Sequence, residues 1–177
     1  SNATDISAAI ASPIRSQADL ERDLREKPQQ VLELAGFKKG MVIADIFAVC
    51  GYYSEIISGV VGKNGSVLMV NNAPYDTYAK KELAVRLVNN RLHNVQYSIV
   101  PNENLGFTAN SLDGALIIMS LHDLFYADPE GGWPAIDAQQ FIGQIVTALK
   151  PGAKFLIVDH SAKAGSGISE AKTLHRI

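Results

Sequence analysis

The run Met41–Phe47, MVIADIF, constrains this chain more than any other stretch, because it is apolar on both alternating faces except at Asp45. A half-exposed strand alternates polar and apolar residues, whereas an unbroken apolar run belongs to a strand covered on both faces, as in a parallel sheet. A helical pattern, YYSEIISGVVG, follows and stops at Gly62, and GSVLMVN (65–71) reads as a second strand. DTYAKKELAVRLVNN then places Leu83 and Leu87 on one helical face, with Asp76 as the candidate N-cap. VQYSIV and LDGALIIMS read as strands three and four. DAQQFIGQIVTALKPG spaces Phe141, Ile145 and Leu149 four apart on a helix, and AKFLIVDH (153–160) is a fifth strand. Strand and helix alternate without a repeat or linker. The expectation is an α/β fold: a doubly wound, Rossmann-like, mainly parallel sheet with five recognisable strands.

Residues 1–15 are small and weakly patterned and read as a flexible arm, leaving 16–177 as one α/β domain. Within that domain Ser16 and Asp19 resemble a capping box for SQADLERDLREKP. Pro28 ends this charged helix and can open the next, QQVLELAG, which closes at Gly36. The opening Ser-Asn-Ala reads as a remnant of tag removal, so native residues, a leader among them, can precede it. At the other end the chain stops at TLHRI, soon after strand five. If that strand is an edge, nothing obvious remains to pair with it, and the C-terminal strands of the fold are missing. An open edge invites a second copy, so a homodimer through it is expected.

Composition excludes more than it selects. With 47% hydrophobic and 19% charged residues and a net charge of −2, the chain has no basic excess for nucleic acid or a membrane surface. No apolar run reaches the ~20 residues of a membrane span. One cysteine, Cys50, leaves no intrachain disulfide and reads as a small buried hydrophobe. A cytoplasmic location is the expectation.

In an open parallel sheet, ligands bind beyond the carboxyl ends of the strands, at the point beside strand one where the winding reverses. That directs attention to Asp45–Gly51, Asn71, Asn72, Pro101–Asn104, Ser120–Asp123, and Asp159 with His160. A strand-to-helix loop needs glycine where φ must be positive or where a ligand approaches the backbone. Gly51 serves at the helix start. Val49 cannot match a glycine, since its branched side chain fills space that a ligand would use. Asn71 or Asn72 closes strand two, where a carboxylate commonly binds a ribose, and an amide lacks the charge that strengthens such bonds. His122 and Asp123, with Asp159, His160 and His175, would gather bases on one edge, though their spacing matches no metal-ligand motif. Tyr52, Tyr53 and Trp133 suit either a pocket lining or the core.

Read in order, these pieces resemble the class I S-adenosylmethionine-dependent methyltransferases, and within them a small bacterial group of predicted methyltransferases. The resemblance is carried by ERDLREKPQQVLELAGFKKGMVIADI, GYYSEIISGVVGKNGSV, SLDGALIIMSLHDL, LKPGAKFLIVDH and GSGISEAKTLHRI. It implies that Asp45 and Gly51 occupy the acidic and last-glycine positions of a cofactor loop, with Phe47, Val49 and Cys50 departing from its glycines. Asn71 or Asn72 stands at the ribose-binding acid, Asn102 or Glu103 in the loop that touches adenine, and Ser120 in the loop after strand four. His122, in that same loop, would face the acceptor as the catalytic base. The implied activity is methyl transfer from S-adenosylmethionine to a small acceptor, with an eroded cofactor loop. The alternative is a catalytically silent domain of the same fold used for binding or assembly. A nicotinamide-dependent oxidoreductase is discounted, because the glycine fingerprint and its acid are absent.

Overall fold

All five expected strands form, and a sixth joins them. The structure is a computed structural model that describes residues 2–119, 130, 135–159 and 170–177. Three helices come first: α1 (Asn2–Ile10), α2 (Gln17–Glu26) and α3 (Pro28–Ala35). Then follow β1 (Val42–Ile46), α4 (Tyr52–Val61), β2 (Ser66–Asn71), α5 (Ala73–Arg86), β3 (Val95–Ile99) and β4 (Leu112–Met119). The chain closes with α6 (Ala138–Ala148), β5 (Leu149–Asp159) and β6 (Glu170–His175).

The sheet order is β3-β2-β1-β4-β5-β6, parallel throughout except for β6, which runs antiparallel to β5. β1 therefore lies between β2 and β4, where the winding reverses and where open α/β sheets place their ligands. Its pleat sorts two cores. Ile43 packs with Ile56, Ile57, Val67 and Leu116 under the α4 side, while Ala44 and Ile46 pack with Ile117, Phe141, Ile145 and Phe155 under α6.

Several expectations change. The segment read as a flexible arm contains α1, and Ile6 is fully buried among α3 and α4 side chains. Its short sequence shows few apolar residues because one face of one short helix is all that packs. β5 is not an edge, since EAKTLH pairs along it from Asp159↔Glu170 to Lys154↔His175. The open edge from which a homodimer was expected is thus occupied. The same antiparallel register carries His175 to the far end of β5 from Asp159, so these two do not gather at one site. Finally, α5 starts at Ala73, where Pro74 fits the first turn and the Asn72 side chain accepts from the Tyr75 N–H at 2.9 Å; Asp76 is not its cap.

The Ser16 cap forms as expected, accepting from the Asp19 N–H at 3.1 Å. Yet α2 is inside out: Asp19 and Glu26 are buried while Leu20 and Leu24 face solvent. Its inward charges meet arginines, as described below.

If α1 is part of the folded domain, Ile6→Ala removes a fully buried side chain and should cost about 2–4 kcal/mol. Urea unfolding checks this, and a loss under about 0.5 kcal/mol would return the segment to a loose arm.

Candidate functional site

β1 ends at Ile46 and the backbone must reverse into α4 through Phe47–Gly51. It does so by taking φ of 53° at Phe47, 53° at Val49 and 81° at Gly51. At Val49 the backbone adopts the glycine-type conformation with a branched residue in it, and that residue lines the cavity beside the loop. That left-handed region costs an L-residue about 1–2 kcal/mol, so something must hold it.

Two side chains do. The Val49 N–H donates to Asn71 Oδ1 at 2.8 Å, and Asn71 Nδ2 donates back to the Val49 carbonyl at 3.0 Å. At about 0.5–1.5 kcal/mol net per hydrogen bond, the pair is of the size needed to offset the strain. From the other side Arg86 Nε donates to the Cys50 carbonyl at 2.6 Å. Gly51 is needed twice over: its φ is left-handed, and a Cβ there would lie 2.6 Å from Met69 Cε and 3.0 Å from Arg86 Cδ.

Above this loop lies a cavity of about 250 Å³ lined by Asp45, Val49, Cys50 and Tyr53, with Arg22 and Glu82 from the flanking helices. Asp45 is buried and accepts from Ser54 Oγ at 2.7 Å. Burial pushes its carboxyl up to about 7, and the Ser54 bonds only partly oppose that. Burial, together with Glu82, likewise pushes the Cys50 thiol up to about 11, which removes it as a thiolate nucleophile. The Tyr53 hydroxyl is buried with no hydrogen-bond partner among the described residues. A larger cavity of about 630 Å³, lined by Asp19, Glu55, Lys81 and Arg86 among others, lies between α2 and α5. Its buried charges are paired, Arg86 with Asp19 at 2.6 Å and Glu55 at 2.8 Å, so the smaller cavity is the chemical one.

The remaining expected residues divide. Phe47 turns into the α6-side core, its ring centroid 5.0 Å from Tyr75 and 5.1 Å from Phe141. Asn71 is fully buried on the Val49 peptide and so is not presented to a ribose. Asn72, besides capping α5, donates to Asn102 Oδ1 at 3.0 Å, and both are buried. Glu103 is exposed, and its carbonyl accepts from Gln140 Nε2 at 2.9 Å, toward α6. Ser120, His122, Asp123, Trp133 and His160 lie outside the described residues. Arg22 and Arg86 are contributors that the sequence did not reveal, since nothing local distinguishes them from other helix-surface arginines.

The fold recurs in solved structures. A SAM-dependent methyltransferase from Aquifex aeolicus matches with a TM-score of 0.63 at 21% identity over 93% of this chain and 78% of that one. The fold is that of the class I S-adenosylmethionine-dependent methyltransferases. Phosphoethanolamine N-methyltransferase 2 of Haemonchus contortus matches with a TM-score of 0.57 at 18% identity, over 93% of this chain and 34% of that one. An arsenic(III) S-adenosylmethionine methyltransferase from Chlamydomonas reinhardtii gives 0.53 at 16%, over 88% and 48% respectively. No protein family and no curated protein matches the chain by sequence. At these identities the likeness to the methyltransferases is one of fold.

Because the folded carboxyl of Asp45 titrates at about 7 against 3.8 unfolded, the native state holds the extra proton between those values. The stability this group contributes is therefore present at low pH and lost as pH rises through about 7. Asp45→Asn should raise the melting temperature at about pH 8 and change it little at about pH 3. An equal change at both pH values would mean that Asp45 is not held neutral by burial.

Proposed function

We propose that this chain binds S-adenosylmethionine over the β1–α4 loop and transfers its methyl group to a small acceptor. The observation that carries the reading is Tyr53, which lines the same cavity as Asp45 and whose hydroxyl is buried without a partner among the described residues. An orphaned buried hydroxyl costs about 1–3 kcal/mol, and a polar ligand group in that cavity would recover it. The methyltransferase fold and the left-handed loop support reading this cavity as the seat of a cofactor's amino-acid end. Asp45 and Tyr53 would hold that end, with the first turn of α4 favouring its carboxylate. When bound, S-adenosylmethionine supplies a methyl group activated by a positive sulfur, which an acceptor lone pair takes by in-line displacement. The protein's part is to hold donor and acceptor in line and to keep water out. An acceptor that carries a proton must lose it, and His122, beyond β4, is the candidate to receive it.

Two observations favour the second reading, a catalytically silent domain. Asn72 and Asn102 are bonded to each other at the adenosine end, and about 250 Å³ falls below the ~300–1,000 Å³ usual for small-molecule pockets.

Calorimetric titration with S-adenosylmethionine and S-adenosylhomocysteine separates the two. Binding in the range of about 1–100 μM is expected, with Tyr53→Phe weakening it about three- to tenfold and leaving stability unchanged or higher. No binding up to about 1 mM, in the parent and in Val49→Gly alike, would establish the silent domain.

A further inference from the structure

We propose that Asn71 is a positioning residue for the β1–α4 loop: its carboxamide holds the Val49 peptide in the left-handed conformation that a glycine would supply unaided. This rests on the reading of that loop as the cofactor cradle, and it turns an apparent loss into a compensation. The positions that depart from the expected pattern, Val49 and Asn71, are in direct contact through two hydrogen bonds.

The chemistry selects an amide. Holding both ends of one residue's backbone requires a side chain that accepts from an N–H and donates to a C=O at once. A carboxylate in place of Asn71 could accept from the Val49 N–H, but its second oxygen would face the Val49 carbonyl with no proton between them. The orientation of the amide is itself fixed. Asn71 Nδ2 also donates to the Tyr97 hydroxyl at 3.1 Å, and that hydroxyl donates onward to Asp76 Oδ1 at 2.7 Å. Because the Tyr97 proton is committed to Asp76, the group facing Tyr97 must be the donor end of Asn71, which leaves Oδ1 for the Val49 N–H. The line Asp76–Tyr97–Asn71–Val49 thus runs from the first turn of α5, across β3 and β2, into the loop. Asn71 is fully buried and Val49 is left-handed at φ 53°, so neither contact is an incidental surface pairing.

The test uses the whole chain. Amide exchange followed by NMR in the ligand-free protein should find the Val49 N–H protected, and Asn71→Ala should speed its exchange at least tenfold while amides of β1 keep their rates. An unprotected Val49 amide in the parent would overturn the proposal. The second measurement is S-adenosylhomocysteine affinity in two backgrounds. Asn71→Ala should weaken binding at least tenfold in the parent but less than threefold when Val49→Gly is already present, since glycine needs no clamp. An equal loss in both backgrounds would overturn the coupling. If Asn71→Ala does not fold, recovery of folding in the Val49→Gly/Asn71→Ala pair supports the clamp, and failure of both contradicts it. Should the parent bind no S-adenosylhomocysteine at all, the cofactor reading falls, and the Val49 exchange rate still decides the clamp.

Discussion

One guanidinium, that of Arg86, ties the functional loop to three helices. It leaves the last turn of α5, donates to the Cys50 carbonyl, and reaches Asp19 on α2 and Glu55 on α4. Arg91 adds a second cation on Glu55 at 2.8 Å. Burial works against the Arg86 charge, yet the bonds from Asp19 and Glu55 outweigh it and raise its pKa further. Breaking such a buried set by removing one partner leaves an uncompensated charge, so it acts as a unit. This explains why α2 turns its carboxylates inward and its leucines outward. The helix is recruited by the arginines, not by an apolar stripe.

With Arg86 on one side and Asn71 on the other, a loop poor in glycine keeps a glycine loop's shape. That changes the meaning of its departures from the expected pattern. Val49 fills space, but the backbone around it is held by polar partners, and Phe47 has moved its ring into the α6-side core. What remains over the loop is a small cavity lined by the buried carboxyl of Asp45 and by Tyr53, with Arg22 and Glu82 at its flanks. A ligand entering there would find both groups already placed and would have little protein to rearrange.

The sequence disclosed the elements whose signal is local. Apolar runs marked most of the five parallel strands, Ser16 and Asp19 marked the start of α2, and Asp45 and Gly51 bracketed the loop. It concealed whatever depends on distant partners. β6, EAKTLH, has no apolar run because only its pairing with β5 makes it a strand, and α1 shows little beyond Ile6 and Ala9 for its buried face. Asn72 rather than Asp76 caps α5, a choice set by where β2 ends. Asn71 looked like a weakened ribose ligand because its real partner, the Val49 peptide, is adjacent only in space.

The most direct test is a crystal structure of the protein grown with S-adenosylhomocysteine. Val49 is expected at positive φ with the Asn71 amide across its peptide, and the homocysteine end of the ligand against Asp45 and Tyr53. A loop with Val49 in an extended conformation and Asn71 free of it, or ligand density anywhere but over that loop, would contradict that expectation.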